Sequence, residues 1–355
     1  MKRVLSIIGV LIMAFTIMSM ATSCAKQSST NESANEPATQ KPAEKKELTK
    51  IVVAEPGRGE SWLPVYLAST LGYYEDEGLD VSFSSFKGGP LVIASLLAGD
   101  TQFALTGYEQ VMKTYEKGKS TKMLLATTAK HPWGFVTAPN IKSISELKGK
   151  TVAGGMPGSS PMAFARACVK LGGLDPDKDV SFVDVPKGSE VAAMEKGDIA
   201  GYGFAWGRVK IELLKRGGNL LIDCTDPEWH RKVLGSDEYP LYVIQVTDEF
   251  IEEKPEVVQG FVSAVVRAMI WQNNHSIGEI AEQGAPMFQL TDKEILPQVL
   301  EETMKTQSKD GYFTEAGHDA ATRLSLDVGL ITKPVDMEKV VDESFLNKAH
   351  DKYGK

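Results

Sequence analysis

The 355-residue sequence predicts a bilobal α/β architecture: two doubly wound sheets joined by a two-strand hinge, with C-terminal helices on the first lobe. Three observations lead there. A half-motif, Asp80-Val81-Ser82-Phe83 with Lys87-Gly88-Gly89 and Gly99-Asp100, returns about a hundred residues later as Asp179-Val180-Ser181-Phe182 with Lys187-Gly188-Ser189 and Gly197-Asp198. Apolar strand-like runs alternate with helix-like stretches at the spacing of βαβ units. About 305 residues follow a polar N-terminal stretch, more than one hydrophobic core usually holds.

The first elements concern export. Lys2 and Arg3 precede an apolar run from Val4 to Met20, then Ala21-Thr22-Ser23 and Cys24, which is the pattern of an export signal over residues 1–23. A cysteine directly after small residues resembles a bacterial lipobox, in which that thiol is lipidated and becomes the new N-terminus. Ala21 stands where leucine is usual, and plain secretion or a retained anchor is the alternative. Residues 24–50 then read as the lipidated cysteine and a disordered tether, since they carry no aromatic residue and almost no large aliphatic one. The expected location is the extracytoplasmic face of a bacterial membrane.

The body follows in two lobes, the first from 51–138 and 240–355 and the second from 139–239. Ile51-Val52-Val53-Ala54 reads as a buried strand, and Gly57-Arg58-Gly59 leads to a helix ending near Leu71-Gly72. A second strand ends near Phe86, and Gly88-Gly89-Pro90 starts the next helix, with Pro90 suited to its first position. Gln102 to Leu105 and Met123 to Thr128 are further strands, in a sheet read as parallel. The first crossing between lobes is placed near Thr137 to Asn140. In the second lobe, Thr151-Val152-Ala153 is a strand and Gly158-Ser159-Ser160-Pro161 opens a helix. The returning strand is Leu241 to Val246, and the second crossing falls near Glu238 to Tyr242. Val257, Val258, Phe261, Val262, Val265, Val266, Met269 and Ile270 recur at three- and four-residue intervals, the buried face of a long helix.

Charge and cysteine usage exclude several classes. Removing residues 1–23 takes away Lys2 and Arg3 and no acid, so the net charge moves from −8 to −10. An acidic body disfavours nucleic acid and a polybasic membrane surface. Cys168 shares a helical face with Phe164, Ala167 and Leu171, which reads as a core thiol, and a disulfide to Cys224 is the alternative open to an exported chain. The five histidines are scattered, and no His-Glu-x-x-His, Cys-x-x-Cys or Gly-x-Ser-x-Gly pattern occurs, so no metal, cofactor or catalytic residue is assigned.

A resemblance enters on a set of motifs: Leu63-Pro64-Val65-Tyr66-Leu67-Ala68, Leu71-Gly72-Tyr73-Tyr74, Gly78-Leu79-Asp80-Val81, Lys87-Gly88-Gly89, Ile144-Ser145-Glu146-Leu147-Lys148-Gly149-Lys150, Gly158-Ser159-Ser160, Ala205-Trp206 and Pro255-Glu256-Val257-Val258. Over residues 50 to 275 the set resembles the nitrate/sulfonate/taurine-type substrate-binding proteins of ABC importers, a group that includes binders of a thiamine pyrimidine precursor. The resemblance implies a periplasmic-binding-protein type II fold that closes on a small molecule, acts as a monomer and docks on a permease with its ATPase. It departs at one point: Gly207-Arg208 follows Trp206 where many relatives have Glu-Pro.

Candidate ligand-binding residues come from loops. Ser159 and Ser160, and Gly88 and Gly89, stand at helix starts, where free N–H groups favour an anion, although Ser160 can equally cap its helix. Lys187 and Gly188 hold the repeat-equivalent place. Arg58 and Arg208 are fork-like partners for a sulfonate or carboxylate, or else ordinary salt bridges. Trp62, Tyr108, Trp133, Trp206, Tyr239 and Tyr242 gather at predicted strand ends and crossings, and Thr106 opens the loop at the end of its strand. The arginines and helix starts favour an anionic organic ligand, such as a sulfonate, nitrate, taurine-like molecule or aromatic acid. The aromatic residues favour a flat heterocycle, and a secreted enzyme on the same fold is the further alternative.

Overall fold

A computed structural model describes residues 47–354. The export signal, Cys24 and nearly all of the expected tether lie outside the described residues. Among the described residues, no helix is long and apolar enough to cross a membrane.

Two five-stranded sheets organise the body. The first runs in the order β2 (Leu79–Ser85), β1 (Thr49–Glu55), β3 (Phe103–Gly107), β10 (Tyr242–Thr247), β4 (Thr121–Ala126). The second runs β7 (Val180–Val183), β6 (Lys150–Ala153), β8 (Gly201–Ala205), β5 (Gly134–Thr137), β9 (Asn219–Asp223). Strands β3, β4 and β5 are almost wholly buried, and their runs lack an exposed polar alternate because both sheet faces are covered.

The sequence repeat is a structural repeat. The order β2, helix Gly89–Leu97, β3 in the first lobe is matched by β7, helix Glu190–Lys196, β8 in the second. Gly88 and Gly188 both have left-handed backbone, with φ of 85° and 90°, and Gly99 and Gly197 match at 79° and 80°. A side chain is strained at such angles, which explains why the glycines recur in register.

Three expectations need correction. The sheets are mixed rather than parallel: β10 runs antiparallel to both β3 and β4, and β5 to both β8 and β9. The first crossing comes earlier than residue 138, because Gly134–Thr137 pairs within the second sheet. Lys130-His131-Pro132 belongs to the crossing, while Pro139-Asn140 is a turn inside the second lobe. The crossing segments are irregular rather than strands, tied by the Tyr239 N–H donating to the Ala129 carbonyl at 2.9 Å.

The C-terminal helices also divide their contacts. Pro255–Asn273 packs on Leu63–Thr70 in the first lobe, and its Phe261 stacks on Phe103 with ring centroids 4.0 Å apart. By contrast, Leu296–Met304 packs against Gly207–Lys215, and Glu315–Asp327 against Ser160–Leu171, both of the second lobe. Cys168 and Cys224 are free and buried, and burial pushes the Cys168 thiol up in pKa.

Candidate functional site

The C-terminal ends of β1, β2 and β3 face those of β6, β7 and β8 across a cleft, the edge at which α/β sheets present ligand-binding loops. The loops enclose a cavity of about 290 Å³, just under the roughly 300–1,000 Å³ of small-molecule sites.

Seven aromatic side chains line it. Trp62 and Tyr242 meet edge to face at 4.5 Å, and Trp133 Nε1–H donates to the Tyr242 hydroxyl at 2.8 Å. Tyr202 lies 4.5 Å from Phe204, which stands 5.8 Å from Trp133, and Trp206 is 6.3 Å from Tyr242. Phe86 completes the lining. Such pairs add about 0.5–1.5 kcal/mol each beyond area burial, so the rings hold one another in place before a ligand arrives. Burial holds the Tyr242 phenol well above its ordinary pKa, so it stays a neutral hydroxyl. Trp62 Nε1 and Thr106 Oγ1 are buried without a hydrogen-bond partner, and both residues line the cavity. Buried polar groups are normally paired, so these two are free to take a ligand atom.

Charged and polar groups at the cleft are engaged across it. Lys87 pairs with Asp184 at 3.5 Å, the Lys187 ammonium donates to the Arg58 carbonyl, and Gln110 Nε2 donates to the Gly158 carbonyl at 3.0 Å. Behind the cavity, Ser160 Oγ donates to Glu109 Oε2 at 2.7 Å, and the Tyr239 hydroxyl donates to the other oxygen. Glu109 is fully buried, and the loss of water raises its carboxyl pKa despite both hydrogen bonds.

Of the expected site residues, Trp62, Gly88, Gly89, Thr106, Trp133, Ser159, Ser160, Lys187, Trp206 and Tyr242 line the cavity. Four do not. Tyr108 points away and bonds His318 Nδ1 at 2.8 Å, because it starts a helix whose buried face packs on the C-terminal region. Gly188 stands outside the lining, its N–H donated to Glu190 Oε2 at 2.8 Å. Arg58 turns onto Glu55 at 3.2 Å and over the Tyr66 and Phe83 rings. Arg208 is held between Glu212 at 2.6 Å and Glu190 at 3.3 Å. The serine roles are also exchanged: Ser159 caps its helix, accepting from the Met162 N–H at 3.4 Å, while Ser160 bridges to the first lobe.

Sequence reasoning missed Phe86, Tyr202, Phe204, Gln110 and Glu190 in the lining. One signal was available: Tyr202, Phe204 and Trp206 alternate along β8 and just past its end, as residues on one face of a strand do.

Two mixed sheets with helices, facing each other across a cleft lined by strand-end loops, define a bilobal periplasmic-binding-type protein. The chain belongs to the NMT1/THI5-like family, whose model matches residues 60–276. It is similar to riboflavin-binding protein RibY of Chloroflexus aurantiacus, 24% identical over 355 residues and covering 95% of this chain and 97% of that protein. A Bacillus subtilis protein named as an aliphatic sulfonates-binding protein is 24% identical over 304 residues, covering 84% and 88%. Among solved structures, one from Bordetella bronchiseptica RB50 superposes with a TM-score of 0.78 at 24% identity, covering 87% of this chain and 99% of that one. The desulfurization enzyme DSZB shares the fold at a TM-score of 0.61 and 15% identity, covering 86% and 99%, so the architecture alone does not separate binding from catalysis.

Proposed function

We propose that this chain is the solute-binding component of an ABC importer, tethered outside the cell membrane through a lipid on Cys24. It captures a flat aromatic heterocycle between its lobes as a monomer and delivers it to a permease with its ATPase. One observation carries the choice of ligand: seven aromatic residues wall the cavity, while both candidate arginines stand outside its lining, each paired to a carboxylate. This reverses the order of preference drawn from sequence, where the arginines placed anionic organics first. RibY, named for riboflavin, supports a flat ligand, and the sulfonates-binding relative keeps the oxyanion reading testable.

Ligand affinity for the closed arrangement supplies the energy of closure, since a ligand shifts the equilibrium by its differential affinity for the two states. The cross-cleft bonds of Lys87, Lys187 and Gln110 belong to that arrangement.

Three of the five tryptophans line the cavity, so their fluorescence reports occupancy. Titration with lumiflavin and the thiamine pyrimidine should quench it saturably, while taurine, methanesulfonate and nitrate leave it unchanged. Saturable binding of an oxyanion with no response to any flat ring overturns the ligand assignment.

A further inference from the structure

A second cavity of about 250 Å³ adjoins the first, and the two share Gly59, Lys187, Trp206 and Val209 as a common wall. Its chemistry differs sharply. Where the first is aromatic, the second presents Glu55, Arg58, Glu60, Arg208 and Thr291. We propose that this chamber receives a neutral, hydroxyl-rich extension of the ligand, a polyol or sugar chain attached to the flat ring. The inference rests on the flat-ring reading of the first cavity and adds the tail that the ring carries.

Both arginines of the chamber are already paired. Arg58 lies on Glu55 at 3.2 Å, and the same carboxylate accepts from the Tyr66 and Ser85 hydroxyls at 2.6 Å each. Glu60 accepts from the Thr291 hydroxyl at 2.7 Å, and Arg208 sits between Glu190 and Glu212. An anionic group that drew on either arginine would have to break one of these pairs and leave buried Glu55 or Glu190 without its counter-charge. A hydroxyl donates and accepts at once, so it fits beside a carboxylate and a guanidinium without displacing either.

The wall between the cavities is thin. Trp206 passes so close to Gly59 that a Cβ there would meet its Cζ2 at 3.3 Å. Any larger residue at 59 narrows this gap. The other closure is the Lys187 ammonium on the Arg58 carbonyl, at the end of a long and exposed side chain that can swing aside.

Fluorescence titration of the full chain tests this with three probes: lumiflavin, the bare ring; riboflavin, the ring with a ribityl chain; and FMN, the same chain ending in phosphate. Riboflavin should bind about tenfold or more tighter than lumiflavin, and FMN should bind more weakly than riboflavin. Glu60→Gln and Thr291→Val should each bring the riboflavin-to-lumiflavin ratio to within about threefold. Because this is a ratio within one variant, it is independent of any loss of folded protein. Equal affinity for lumiflavin and riboflavin in the wild type overturns the chamber and leaves the flat-ring reading standing. FMN binding tighter than riboflavin overturns the neutral tail. Lumiflavin, riboflavin and FMN all failing to bind overturns the inference, and the thiamine pyrimidine then decides the flat-ring reading separately.

Discussion

The two copies of the repeated glycine loop use one backbone plan and reach opposite electrostatic outcomes. In the first lobe, Gly88 and Gly89 bring the start of helix Gly89–Leu97 to the cavity with no side chain capping it. In the second, the matching start is occupied by its own carboxylate: buried Glu190 accepts the Gly188 N–H and pairs with Arg208. One helix start is open and the other is plugged. Two open starts would have made a cradle for an oxyanion, whereas one open start beside an aromatic wall suits a ring with a polar edge.

The comparison breaks most readily at the wall. Trp133→Ala removes both a ring and the donor to Tyr242, and should weaken flat-ring binding by about 2 kcal/mol or more, roughly thirtyfold in Kd by fluorescence or calorimetric titration. Trp206→Ala should do the same without losing that hydrogen bond, and wild-type affinity in both variants would remove the site. Glu190→Ala sharpens the contrast between the loops by unplugging the second helix start. Methanesulfonate binding should then rise by about tenfold over the wild type in calorimetry. Unchanged sulfonate affinity would mean that Glu190 is not what excludes anions.

Smaller effects are expected from the serines and the buried carboxylate behind them. Ser159→Ala should lower unfolding stability by about 1 kcal/mol through loss of the cap, with little change in ligand affinity. For Glu109 the sign follows from its raised folded-state pKa. The folded chain holds the proton more tightly than the unfolded one, so its contribution to stability is lost as pH rises above the ordinary carboxyl range. Melting temperatures of Glu109→Gln minus wild type should therefore increase from pH 5 to pH 8. A difference independent of pH would place no titrating burden on this carboxylate.

Much of this arrangement was legible in the sequence, and the failures have specific causes. The Asp-Val-Ser-Phe repeat located β2, β7 and the loops after them, because glycine at positive φ leaves a fixed mark. Trp62, Trp133, Trp206 and Tyr242 were found because large rings beside strand ends have few places to go. For Arg58 and Arg208 the salt-bridge alternative is the one the structure shows, because an arginine's partner is a matter of which carboxylate folds opposite it. Glu55 lies three residues before Arg58 and Glu212 four after Arg208, spacings that already offered each arginine a local partner. Glu190, by contrast, lies 18 residues from Arg208, and nothing short of the second lobe's topology brings them together. The early crossing was misread because Phe135-Val136-Thr137 is a buried strand in either sheet, and its pairing with β8 and β9 is a tertiary fact.

The most direct test of the central claim, that this cleft takes a flat ring rather than a small oxyanion, is isothermal titration of the full chain with lumiflavin and methanesulfonate under the same conditions. Saturable 1:1 binding of lumiflavin with no detectable heat from methanesulfonate is the result expected from an aromatic wall whose neighbouring arginines are already paired. Saturable methanesulfonate binding with no response to lumiflavin would contradict it.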